Sequence, residues 1–392
     1  MRTGIATVPL DWGRCPRWLF ERMTRLGRGI CVAIVEEFGP DELLKRLSAP
    51  AWFQSLGCVM GFDWNSSGLT VTTMGALKEA VRGMETELGF YVCGGKRVSR
   101  KTPEETIAWG QILGWDEQKT GKLVNASKMA AKVDSSLVQD GFSIYAHNLM
   151  FTNSGKWAVV QQGMNVDSQK ARRYHWLSDG VNDFTTEPHS GIASDVRAKS
   201  LNLTAKESKE NKKISADLVK EEPIAFLKNF QKMARNSAKE MPRVSSSAGN
   251  SLGAQSRLPG FVDMELNNVE FHWHPVVSEK FDLKRLKKTI EKAHFAAPEN
   301  FLQLLAGEGV GPKTIRALSL VAEIVYGAKP SYEDPARYSF AVGGKDGTPF
   351  PVDRATYDRT LAALEKGIKA SRTSQKEIDA ASRRLETVTY PF

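Results

Sequence analysis

Cysteine is scarce. The four residues, Cys15, Cys31, Cys58 and Cys93, all lie in the first hundred positions, and no two form a C-x-x-C pair. That gives thiolate metal ligation little support and makes reduced, buried thiols the expected reading. Histidine is scarce as well, with six residues whose spacings match no standard metal-ligand set. No apolar run approaches the ~18 residues of a membrane span. The start, Met1-Arg2-Thr3-Gly4, has no hydrophobic signal core. A cytoplasmic protein with no membrane partner is therefore expected. The Walker spacing G-x-x-x-x-G-K-[ST] is also missing, which removes the P-loop nucleotide enzymes.

What is present is ordinary in bulk and particular in detail. The 392 residues, 41% hydrophobic and 25% charged, describe a globular protein of two or three domains. The net charge of +9 favours a polyanionic partner.

The most telling stretch is 304–327. Pro298 to Ala306 carries one apolar face, and Gly309 and Gly311 bracket Val310 in a tight turn. Pro312 sits where a first helical residue stands without cost. Ile315, Leu318, Val321, Ile324 and Val325 then fall near helical spacing. The pattern predicts helix, glycine hairpin, helix. First-turn amides behind the glycines, backed by the helix dipole, form an anion site. Gly309, Gly311, Lys313, Thr314 and Arg316 are the candidate phosphate contacts.

Ahead of it, residues 1–195 are expected to form a mixed α/β domain. Tyr91-Val92-Cys93 reads as a strand running into Gly94-Gly95-Lys96, and Arg100-Lys101 follows closely. That turn could cradle a phosphate through its amides and through Lys96 and Arg100; a plain basic surface turn fits equally. Asp63-Trp64-Asn65-Ser66-Ser67-Gly68 is either a polar active-site loop or a capped turn. Phe142 to Phe151 reads as a strand, Asn153-Ser154-Gly155-Lys156 as a hairpin turn, and Trp157 to Asn165 as a second strand. Polar residues crowd this region. Asp134, Asp140, Gln161, Gln162 and His175, with His147, Asn165 and His189, are candidates for a catalytic cluster. Arg172 and Arg173 are candidates for a DNA-contacting face.

Residues 196–260 are rich in Lys, Glu, Ser and Gly, and read as a basic, partly flexible linker, with Ser245-Ser246-Ser247 at its loosest point. Residues 261–392 then form a mainly helical domain around the hairpin. Phe271-His272-Trp273-His274-Pro275 reads as a docking turn or a pair of ligands. The basic helix Phe281 to His294 is expected to line the same nucleic acid, and the last charged helix to be peripheral. The fold class expected is α+β, with an N-terminal mixed α/β domain and a C-terminal helix-hairpin-helix domain.

Several of these stretches carry a family resemblance. Asp63 to Gly68, Gly75-Ala76-Leu77-Lys78, Gln161 to Asn165, Arg172 to Trp176 and Tyr338 to Gly347 resemble domain-of-unknown-function family 763, an archaeal and bacterial family without an assigned activity. The linker is longer and more basic here than that family suggests. Gly309-Val310-Gly311-Pro312-Lys313-Thr314 with Ala317-Leu318 is similar to the helix-hairpin-helix motif of DNA-binding proteins, and the C-terminal part resembles the helix-hairpin-helix DNA glycosylases. In the bifunctional members of that group, a lysine of the second hairpin helix attacks the sugar and a downstream Pro-Val-Asp carboxylate assists. Lys313 matches the lysine and Asp353 of Pro351-Val352-Asp353 matches the acid. Two departures bear on this: a glycine-rich insertion separates the pair, and few helices precede the hairpin.

The expectation is a DNA-binding protein of repair or processing, acting on double-stranded or damaged DNA. Three versions stay open. A glycosylase/lyase would use Lys313 and Asp353 and need no cofactor. A nuclease would use the Asp134, Asp140, Gln161, Gln162 and His175 cluster with a divalent metal, Mg or Mn. An adaptor would bind without chemistry.

Overall fold

Residues 15–62, 68–96, 99–194, 197, 199–239, 261–265, 278–336, 362, 364–369 and 374–389 are described by the structure, a computed structural model. Asp353, the loop 63–67, the turn 271–275, the serines 245–247 and the glycine-rich 338–347 lie outside them.

The organising element is a five-stranded sheet. Its strands are β1 (Phe90–Gly95), β3 (Ser143–Thr152), β4 (Trp157–Asn165), β5 (Lys170–Leu177) and β6 (His189–Ser194), in spatial order β1-β3-β4-β5-β6. Every neighbouring pair is antiparallel. β3 to β6 are sequence neighbours laid side by side. The turn 153–156 joins β3 to β4 where the sequence places it, with Gly155 at φ +87°. A two-residue pair, β2 (Val138–Gln139) with β7 (Leu201–Asn202), stands apart from this sheet.

Side chains alternate across a strand, so both faces of the sheet must be covered. Phe90, Val92, Met150, Ala158 and Val160 enter one core with the helices α1 (Arg17–Phe38), α2 (Pro40–Leu47), α3 (Pro50–Val59) and α4 (Leu69–Val81). Tyr91, Cys93, Leu149, Phe151, Val159 and Trp176 enter the other, beneath α7 (Glu117–Ser136). Between these helices in sequence lie the single turn α5 (Glu85–Leu88) and α6 (Thr102–Ile112). α6 places Trp109 on Tyr91, ring centroids 4.9 Å apart.

The second core does not stop at the sheet. It continues through α8 (Lys209–Leu218), α9 (Pro223–Lys239), α10 (Leu283–Ala296), α11 (Phe301–Ala306) and α12 (Pro312–Tyr326) without a break. The strands β8 (Phe261–Glu265) and β9 (Ser278–Asp282) pair with each other just before α10. Residues 364–369 are helical, and α13 (Gln375–Thr389) follows them. Leu364, Ile368, Ala381 and Leu385 return to the first core among α1–α4.

The α+β class holds, with the sheet in the N-terminal half. Two expectations change. Residues 199–239 are not a flexible linker: Leu203, Leu218, Val219, Phe226 and Phe230 are core residues, and the Lys/Glu content, apart from buried Lys212, is the solvent side of two packed helices. The terminal helix is not peripheral either. Arg384 donates from Nε and a terminal nitrogen to the Val59 carbonyl at 3.1 and 3.0 Å. Each of these two apolar cores draws on both halves of the chain, so a boundary at 195 cuts through both of them.

Candidate functional site

Register decides which polar residues meet. His147, Gln161 and Tyr174 stand directly opposite one another across β3, β4 and β5 and share the face beneath α7. Gln162 and Arg173 are the next pair along, on the opposite face. The polar residues that crowd together in sequence are therefore two separate groups, one on each side of the sheet.

On the α7 side the hub is Asp134, with no exposed surface. Its Oδ2 accepts from Gln161 Nε2 at 2.5 Å and from Trp176 Nε1 at 3.0 Å, and its Oδ1 accepts from His189 Nε2. A carboxylate buried this deeply persists only with such donors. Because Gln161 spends its amide N–H on Asp134, its carbonyl oxygen faces His147 Nδ1 at 2.8 Å. Nδ1 is then the donor, and Nε2 is left to accept from Ser127 Oγ at 2.7 Å. Burial pulls the His147 pKa down, and Gln161 and Asp134 only partly oppose it, so the ring is neutral.

A neutral imidazole aimed at a hydroxyl is the geometry that activates a nucleophile. Here it lacks the rest. Ser127 is 2% exposed and lies inside α7, whose interior amides are committed to the helix and offer no oxyanion donors. The relay fastens α7 to the sheet. Next to it, Asp140 Oδ2 accepts from Tyr174 Oη at 2.7 Å and from Arg172 at 2.8 Å. Arg172 also reaches Asp334 at 2.7 Å. Burial pushes the Asp140 carboxyl up, while Arg172 and Tyr174 draw it back.

On the other face, Arg173 donates to His175 Nε2, Gln54, Thr70 and the Pro50 carbonyl. Burial takes its pKa down to about 9 and keeps His175 far below its usual value, with the Arg173 charge adding to the second effect. Arg172 and Arg173 are 1% and 5% exposed, so neither presents a guanidinium to a phosphate. Their charge serves the sheet. The nuclease reading also loses its geometry, because Gln162 and His175 lie across the sheet from Asp134, Asp140 and Gln161. Among the described residues no group of three His, Cys, Asp or Glu could hold a metal ion.

The stretch 301–326 is a helix, a glycine turn and a helix. Gly309 sits at φ +78°, a left-handed conformation that glycine adopts without strain. α7 braces one side: Lys132 Nζ donates to the Gly307 carbonyl at 2.8 Å. Just beyond α7, Gln139 donates to the Pro312 carbonyl at 2.9 Å and accepts from Arg316 Nε at 2.6 Å. α10 flanks the other side, where Lys292 pairs with Glu308 at 2.6 Å. Side chains cap α7, α10 and α11 through Asp116, Asp282 and Asn300, whereas Gly311 begins α12 without one. Gly309 and Lys313 are exposed; Thr314 is buried. Lys313 is therefore not the desolvated amine that a Schiff-base mechanism requires.

Lys96 and Arg100 are exposed at the end of β1, with Lys96 over the Tyr145 ring at 5.5 Å. The amide of Gly94 is already donated to Glu105 Oε2 at 2.8 Å, which leaves it unable to serve a phosphate at this turn. Ser127 and Trp176 escaped notice in the sequence. Ser127 is seven positions before Asp134 on the same helix, two turns back on one face, and that spacing could have disclosed it.

The family model described as "Protein of unknown function (DUF763)" matches residues 4–352. No curated protein and no solved structure matches the chain. No helix among the described residues is long and apolar enough to cross a membrane.

Proposed function

The chain belongs to the DUF763 family, whose description assigns no activity, and on that premise we propose that it binds the phosphate backbone of DNA through the hairpin of α11 and α12. One observation carries the reading. The exposed glycine turn and the α12 N-terminus, which no side chain caps, stand among cations from three elements. Lys132 comes from α7, Lys288 and Lys292 from α10, and Lys313 from α12 itself. Lys292 pairs with Glu308 at the turn, and Lys288 stands one helical turn before it on α10. The outer side of α10 adds exposed Lys284, Arg285 and Lys287. First-turn amides, a favourable helix dipole and surrounding lysines are what a phosphate needs, and they read the backbone rather than the base sequence.

The test is duplex binding followed by fluorescence anisotropy. Lys313→Glu is expected to weaken binding more than tenfold. Gly309→Val, which strains the turn, is expected to weaken it similarly while the fold persists. Lys366→Glu, on the far helical layer, is expected to change it by less than twofold. Equal affinities for the three variants would overturn the assignment. A covalent adduct trapped by borohydride and lost in Lys313→Gln would add a lyase step to this binding role.

A further inference from the structure

An open cleft of about 880 Å³ lies between α1, α4 and the glycine end of β1. It uses none of the hairpin residues. Its charged lining comprises three carboxylates, Glu21, Glu79 and Glu105, and three cations, Arg25, Lys78 and Arg82. Its volume is within the range of about 300–1,000 Å³ typical of small-molecule sites.

The floor is built around Lys78 and Glu105. Lys78 Nζ donates to Glu105 Oε2 at 2.7 Å and to the Gly94 carbonyl at 3.1 Å. Glu105 Oε2 also takes the Gly94 amide at 2.8 Å. An ammonium has three N–H donors and a carboxylate has two oxygens. The bonds named use two of those donors and only Oε2 of the acid. The pair is part-exposed, at 26% and 30% for the two side chains. It offers the cleft a donor and an acceptor side by side. Glycine is required where the strand turns away: Gly94 has φ +90°, and a Cβ there would stand 2.4 Å from the His147 carbonyl.

Charge balance selects the ligand. Any strongly anionic molecule entering the cleft meets three carboxylates, and any polycation meets three cations. Glu21 and Arg25 already pair outside the lining, with Arg17 and Glu377. The exchangeable pairs are therefore Lys78–Glu105 and Arg82–Glu79. A ligand bearing both signs can exchange these for pairs with itself and leave none of the four unmatched. We propose that this cleft binds a short peptide carrying an ammonium and a carboxylate, with the ammonium on Glu105, the carboxylate on Lys78 and an apolar segment against Phe20. Arg82 and Glu79, paired at 2.7 Å on the rim, exchange partners in the same way with the peptide's charged side chains.

The probe is the tripeptide Lys-Ala-Glu, with AMP and spermidine as single-signed controls, measured on the full chain by titration calorimetry and thermal unfolding. The tripeptide is expected to bind and raise the unfolding temperature, and each control to bind at least tenfold more weakly. Glu105→Gln, which keeps the size and removes the charge, is expected to weaken the tripeptide about tenfold. Arg82→Ala, on the exposed rim, is expected to weaken it by a smaller factor without unfolding the protein. No binding of the tripeptide at millimolar concentration, tighter binding of AMP or spermidine, or undiminished binding in Glu105→Gln overturns the proposal. DNA binding by the hairpin is unaffected by any of these outcomes.

Discussion

Asp134 receives three hydrogen bonds with no exposed surface, and its replacement tests how much the relay holds together. An asparagine amide would turn a donor toward one of the existing donors. Asp134→Asn is expected to cost about 3 kcal/mol in urea unfolding. Ser127→Ala removes only the end of the relay and is expected to cost about 1 kcal/mol. Lys212 is a second buried charge. It donates to the Thr185 carbonyl at 2.6 Å and to Thr186 Oγ1 at 2.9 Å, and burial lowers its pKa to about 8, with Asp183 partly opposing. The unfolded lysine, near 10.4, holds its proton longer than the folded one. Its unfavourable contribution is therefore complete below pH 8 and is relieved as pH rises from 8 toward 10.5. Wild type is expected to gain stability over that window relative to Lys212→Met, by roughly 3 kcal/mol at most; a flat difference in denaturation midpoints between pH 7 and 10 would contradict it. At this scale the sequence disclosed which residues were unusual but not which of them meet. Gln161 and Gln162, like Arg172 and Arg173, look like pairs in the sequence. A strand's two-residue period sends them to opposite faces.

At the scale of elements, hydrophobic period and turn chemistry were legible. The strand Trp157–Asn165, the turn before it and the helices on either side of Gly309 lie where glycines, β-branched runs and apolar stripes put them. Phe226 to Met233, the middle of α9, reads as a short amphipathic helix, but α8 did not show, because its buried positions are Asn211, Lys212, Ser215 and Ala216 with Leu218 as the one large apolar residue. Asn211 Nδ2 bonds the carbonyls of Ser319 and Ala328 at 3.0 and 2.7 Å and so ties α8 to α12. Polar residues doing a core residue's task leave no apolar signature. Phe230 supplies the test. It has no exposed surface and meets Phe281 edge-on with centroids 5.0 Å apart. Phe230→Ala is expected to cost about 3–5 kcal/mol by chemical denaturation. A change below about 0.5 kcal/mol would restore the linker reading.

Across the whole molecule, the sheet is a shared wall between two cores, and the chain crosses from one to the other and back. The C-terminal helices 364–369 and α13 close the core that α1 opens. Sequence position gave no sign of this, since a buried face does not identify its partner. The arrangement bears on function because it fixes the hairpin against α7 and α10. The glycine turn is thereby held from both sides, by Lys132 of α7 on the Gly307 carbonyl and by Lys292 of α10 on Glu308. The proposed peptide cleft lies elsewhere, between α1, α4 and the end of β1.

The proposed backbone binding by the hairpin surface is tested most directly by the salt dependence of duplex affinity. Each phosphate neutralised releases condensed counterions, so log K should fall linearly with log salt. Replacing Lys313 by alanine should reduce the magnitude of that slope by about one. The predicted result is a linear salt dependence for unrelated duplex sequences, with a shallower line for Lys313→Ala. Affinity independent of salt, or a slope unchanged by that substitution, would contradict the account.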